Sequence, residues 1–174
     1  CLAYLFAETS KDPIAEEDII LDQEPAIGNY YKDILLLDRE TNTHVASIAE
    51  GGFKERDQDL QLVEMDLDSH GTAQFPYNWM RTPSSGTESF KMTIISRGLM
   101  LVFKDSGNSE FGKAEIYVDG EYVLTADPHI NNWTHCNAVI LYQEEEAREH
   151  EIEIKMAPGD EDKCFTILGF GYTL

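Results

Sequence analysis

The chain has 174 residues, with 13 Lys and Arg against 33 Asp and Glu, a net charge of −20. A length of this order predicts one domain that buries about 70% of its unfolded surface, enough to fold without disulfides or metal. At 42% apolar residues it is too hydrophobic for an acidic disordered tail, and no apolar run approaches the ~20 residues of a membrane span. The charge argues against nucleic acid and anionic membrane surfaces, since both are bound mainly through Lys and Arg.

Leu2, Leu5 and Phe6 share one helical face, and Pro13 forbids continuation. Residues 1–12 therefore read as the end of the last helix of a preceding domain. Residues 8–24 hold seven acids and one Lys, and 13–24 read as a solvated linker. The main domain is expected over 25–174.

From there strand signals dominate. Residues 34–37 are an apolar run, 43–49 are half polar, and 60–67 alternate with a phase slip between Leu62 and Val63. Phe90, Met92 and Ile94 alternate with polar residues, and 99–103 are continuously apolar. Ala114, Ile116 and Val118 precede Asp119-Gly120, a strong two-residue hairpin signal, with a return strand over 121–126. Residues 137–143 make another strand, 144–148 one helical turn, and Ile152, Ile154 and Met156 a half-buried strand. The last strand spans 164–172, where Gly169 and Gly171 allow close approach or a kink. About nine or ten short strands and almost no helix predict an all-β fold, a β-sandwich or jelly roll.

Chemistry is sparse. Cys1, Cys136 and Cys164 form no disulfide or zinc pattern and read as free thiols. Free thiols and the lack of an export signal favour the cytoplasm over secretion. There is no G-x-S-x-G elbow, and Ser106 reads as a turn residue. Among the histidines, His150 reads as a surface strand residue and His70 as a turn residue, while His129 and His135 flank Trp133. Acid pairs carry little information in so acidic a chain. Asp66/Asp68 and Asp160-Glu161-Asp162 offer oxygen ligands of the kind calcium takes, but the EF-hand pattern is absent and Asp160 to Asp162 read as a solvated turn. No cofactor is implied; a structural calcium in such a fold would sit on backbone carbonyls, which sequence does not mark, and none is predicted.

The loop aromatics are more informative. Trp79 lies in Phe75-Pro76-Tyr77-Asn78-Trp79-Met80 and Trp133 in Asn131-Asn132-Trp133. An indole stacks on the apolar face of a pyranose while neighbouring amides bond its hydroxyls, the mixture typical of a ligand site. Trp133, Asn132, Trp79, Asn78, Tyr77 and His135 are the candidate ligand-binding residues. The competing reading makes each Trp a plug for one end of the sandwich.

Several stretches carry a resemblance: Phe103-Lys104-Asp105-Ser106, residues 112–120, Asn131-Asn132-Trp133, residues 149–154 and residues 165–172. They resemble the jelly-roll accessory domain of SGNH/GDSL-type hydrolases of anaerobic gut and rumen bacteria. That group includes carbohydrate esterases that deacetylate plant polysaccharides. Residues 1–6 resemble the last helix of the SGNH catalytic domain. The chain carries neither the Gly-Asp-Ser block nor an Asp-x-x-His block, and Asp66-Leu67-Asp68-Ser69-His70 has the wrong spacing. The resemblance thus implies a non-catalytic module, with catalytic residues outside these 174. It implies carbohydrate binding or clamping of substrate, with neutral or acetylated plant polysaccharide and an SGNH domain of the same parent chain as partners. The alternative is a purely structural domain packed on that hydrolase.

Overall fold

The computed structural model describes residues 29–65 and 68–174. The expected helix end over 1–12, the linker over 13–24 and the boundary at 25 lie outside the described residues. Ten strands follow: β1 Leu35–Leu37, β2 Ala46–Ala49, β3 Leu62–Met65, β4 Asp68–Ala73, β5 Trp79–Arg81, β6 Phe90–Asp105, β7 Ala114–Val118, β8 Glu121–Ala126, β9 His135–Met156 and β10 Phe165–Thr173. A single 3-10 turn, Thr43–Val45, is the only helical element among the described residues from Asp33 onward.

The fold is an all-β sandwich organised by two long strands. The main sheet runs β1-β10-β6-β9-β7-β8, with β2 added on β6 and β5 on β10, and every pair in it is antiparallel. The first half of β6 pairs β2 and the end of β9; its second half pairs β10 and the start of β9. Between these halves the ladder breaks: Ser96 faces Arg148 but Gly98 faces Gln143. The surplus residues of β9 form a large bulge, which bends a strand. Phe90 from one half packs on Phe170 of β10 at 5.8 Å, so the two halves share one core.

The sequence pattern explains each layer. Phe90, Met92 and Ile94 point inward and Lys91 and Ile95 outward, the period of a half-buried strand. In β10 all nine residues are buried. Phe165 and Ile167 face the core, then a register slip between Ile167 and Gly169 shifts the phase so that Phe170 and Tyr172 do too. Gly169 and Gly171 fall on the other face, where a Cβ at Gly171 would come within 2.5 Å of Ile34 and one at Gly169 within 3.2 Å of Leu36. The β7–β8 hairpin turns on Asp119 and Gly120, both at positive φ, as the dipeptide predicts.

Three local expectations fail. Residues 144–148 are not helical: they are the β9 bulge, held by Arg148 Nε on Glu144 Oε2 at 2.8 Å. His70 lies in β4, a strand of weak β-formers that exists because β3 supplies a partner. His150 is 1% exposed, with its ring stacked on Tyr142 at 3.9 Å and Nδ1 3.0 Å from Asp119 Oδ2. Its strand position alternates with glutamates, but the bulge lays Tyr142 over it.

Candidate functional site: the loops over the outer sheet face

Residues 127–134, between β8 and β9, carry Trp133. Asp105, at the end of β6 and fully buried, anchors this loop. Its Oδ2 accepts from Asn131 N at 2.7 Å, Asn131 Nδ2 at 2.9 Å and Asn137 Nδ2 at 2.8 Å. The His129 ring bridges the carbonyls of Ser106 and Phe111 at 2.9 and 3.0 Å. Asn132 takes the left-handed conformation, φ 56°, which Asn tolerates. Gly107 lies so close beneath it that a Cβ there would sit 2.5 Å from the Asn132 carbonyl oxygen. Ser106 is a turn residue, its Oγ accepting from Asn108 N.

This frame holds Trp133 outward. The indole is 54% exposed and stacks flat on the His135 ring, with centroids 4.9 Å apart and planes 9° from parallel. His135 Nδ1 lies 3.1 Å from Gln61 Oε1, a contact that fixes the ring in plane. One indole face is taken by His135. The rest of the exposed indole is a flat apolar surface, suited to stacking against the C–H face of a sugar.

Trp79 and Asn78 do not join it, which corrects two of the candidate assignments. Trp79 is 1% exposed, packed on Phe90 at 5.4 Å and Phe170 at 6.0 Å, with Nε1 donating to Glu50 Oε1 at 3.1 Å. It is a sandwich plug. Asn78 is fully buried and ties two loops together: Oδ1 accepts from Asp57 N at 2.8 Å, and Nδ2 donates to the carbonyls of Asp57 and Phe75, both at 3.1 Å. Asp57 in turn accepts from Thr166 Oγ1 at 2.8 Å and pairs with the buried Lys104 ammonium at 2.9 Å. These contacts fasten residues 53–61 and 74–78 to the outer faces of β6 and β10.

Tyr77 is exposed, with the Arg56 guanidinium 5.7 Å over its ring and Arg56 paired to Glu40 at 2.8 Å. It lines an open groove of about 410 Å³ with Leu36, Thr41, Gln74, Phe75 and Pro76. A crevice of only about 10 Å³, the size of one water, lies between His135, Thr134, Gln61 and Leu168 and the same Gln74 and Phe75. Phe75 has φ 53°, a conformation rarely adopted by a bulky residue and further disfavoured before a proline. Such a residue costs on the order of 1–3 kcal/mol and persists only where its surroundings enforce it. Here the Asn78 amide on the Phe75 carbonyl and Gln74 N on Gln61 O at 2.9 Å do so. Gln61 and Gln74 carry no sequence signal, and the sequence assigns no structural role to Phe75 or Asp105: these roles arise from chain crossings.

Cys164 is buried and Cys136 half-buried, both free thiols, and burial pushes the Cys164 thiol up. Asp160 closes a turn by accepting from Lys113 N at 2.9 Å. Among the described residues no three His, Cys, Asp or Glu side chains converge as for a metal ion.

No protein-family model and no curated protein matches the sequence. Solved structures do. One is a two-domain esterase active on acetylated mannans, co-crystallized with mannopentaose, similar over 98% of this chain and 43% of that one, at TM-score 0.59 and 13% identity. A second two-domain esterase active on acetylated mannans is similar over 99% of this chain and 45% of that one, at TM-score 0.55 and 14% identity. The chain thus shares its fold with part of these two-domain carbohydrate esterases and spans less than half their length.

Proposed function

We propose that this chain is a non-catalytic carbohydrate-binding module of a carbohydrate esterase, with Trp133 as its sugar platform. The carrying observation is Trp133, more than half exposed yet stacked flat on His135. An exposed tryptophan held rigidly by buried anchors loses little conformational freedom on binding, which is what a ligand platform needs. The fold shared with two-domain esterases supports an appended position, next to a catalytic domain of SGNH/GDSL type that supplies the Ser, Asp and His. Neutral or acetylated plant polysaccharide is the ligand class that a chain of this charge tolerates, and one lying on this face would be presented to the neighbouring esterase.

Affinity electrophoresis in acetylated glucomannan and xylan gels tests this. The unaltered chain is expected to be retarded in at least one, and Trp133→Ala to weaken binding roughly tenfold or more. Free migration of the unaltered chain in every polysaccharide would sink the reading. A second reading, a structural domain packed on the hydrolase, draws on Ile34, Leu35 and Leu36, which are 38%, 45% and 38% exposed along β1.

A further inference from the structure

We infer that the groove beside Tyr77 and the platform at Trp133 are two halves of one binding surface, which takes an internal stretch of a linear, uncharged polysaccharide. This rests on the reading of Trp133 as a sugar platform. Gln74 and Phe75 line the Tyr77 groove on one side and the small crevice against His135 on the other, and so form the ridge between Tyr77 and His135. On one side stands His135, on which the exposed Trp133 stacks; on the other, the exposed Tyr77 with Leu36 and Thr41. The ridge is rigid, because the buried Asn78 holds Phe75 in its left-handed conformation and Gln61, which orients His135, also holds Gln74. One set of contacts therefore fixes both aromatic shelves relative to each other.

The lining has the composition of a ligand site: apolar surface from Leu36, Phe75, Pro76 and Tyr77, with Thr41 and Gln74 to bond hydroxyls. Recognition of a chain end calls for a closed pocket around the terminal sugar. Two exposed aromatics on either side of a ridge instead support successive sugars of a chain that passes over it. Asp38 lines the second groove and Glu40 stands on Arg56 at its margin, so a polyanionic glycan is disfavoured.

The test is isothermal titration of the full chain with manno-, xylo- and gluco-oligosaccharides, comparing the disaccharide with the hexasaccharide of each series. In the series that binds, the hexasaccharide is expected to bind at least roughly tenfold tighter, and Tyr77→Ala to remove that gain while leaving the disaccharide unchanged. Tyr122→Ala, an exposed aromatic on the β8 edge, should change neither. Equal affinity for both lengths overturns the inference. So does a Tyr77→Ala chain that binds every oligosaccharide as the unaltered chain does, which would assign the groove to another occupant such as a neighbouring domain. Binding to none of the three series removes the reading of Trp133, and this inference with it.

Discussion

Asn78 does more for the outer loops than any residue that reaches the surface. It satisfies both backbone polar groups of Asp57 and the Phe75 carbonyl from a fully buried position. Removing one partner of a buried hydrogen bond leaves the other desolvated and unpaired, at about 1–3 kcal/mol. Asn78→Ala is therefore expected to lower unfolding stability by that amount in urea, with the loss concentrated in residues 53–61 and 74–78 by hydrogen exchange. Unchanged protection there would refute this role. Sequence reading placed Asn78 beside a sugar because Asn next to Trp is the composition of a glycan site. The same dipeptide composition surrounds Trp133, where the expectation holds for exposure. The difference is not local. Trp79 lies in a strand that pairs with the wholly buried β10, whereas Trp133 lies on a loop held outward by Asp105.

At the scale of elements, the bulge of β9 accounts for most of what periodicity misread. Residues 144–148 have good helix formers and an i, i+4 acid–base pair, which normally supports a helix. In β9 that pair, Arg148 with Glu144 at 2.7 Å, instead bridges the base of a bulge. Arg148 also reaches Asp119 at 3.2 Å, tying the bulge to the β7–β8 turn. The acids of 144–153 thus decorate the bulge and the outward face of β9, a strand internal to the sheet, while Asp160, Glu161 and Asp162 lie in the turn between β9 and β10. Asp119 gives this junction a pH dependence. Burial raises its carboxyl, but the Glu151 amide, His150 and Arg148 together outweigh that and hold it below the usual carboxylate range. A depressed carboxylate contributes stability that is present above its unfolded pKa of about 4 and is lost as pH falls through the folded value. The β7–β8 turn is expected to loosen in acid below about pH 4, and Asp119→Asn to remove that part of the pH dependence. Amide exchange at Glu151 followed against pH checks this; an identical profile in the variant would contradict it. Tyr142, stacked on His150, is pushed up to about 12 by burial, so it stays a neutral donor–acceptor to Ser96 at 2.7 Å across this range.

For the whole molecule, the all-β sandwich was legible because nearly every strand carries its own period and the hairpin at Asp119-Gly120 its own turn chemistry. What could not be read was that four of the expected strands are two long ones, β6 and β9, passing from one half of the sandwich to the other. Periodicity resets at a bulge, so a bent strand looks like two. Of the candidate residues, Trp133, Asn132 and Tyr77 lie on the outer loops and His135 opens β9, as loop composition alone suggests for the aromatics, while the residues that position them, Asp105, Gln61 and Asn78, act through contacts distant in sequence. The resulting molecule has one tryptophan in its core and one on its surface, which makes the central claim directly measurable. Acrylamide quenching should reach Trp133 and not Trp79. Saturating acetylated glucomannan or xylan is predicted to shield the quenchable component, and Trp133→Phe to abolish it. Quenching that stays unchanged with both polysaccharides would contradict the account of Trp133 as the sugar platform.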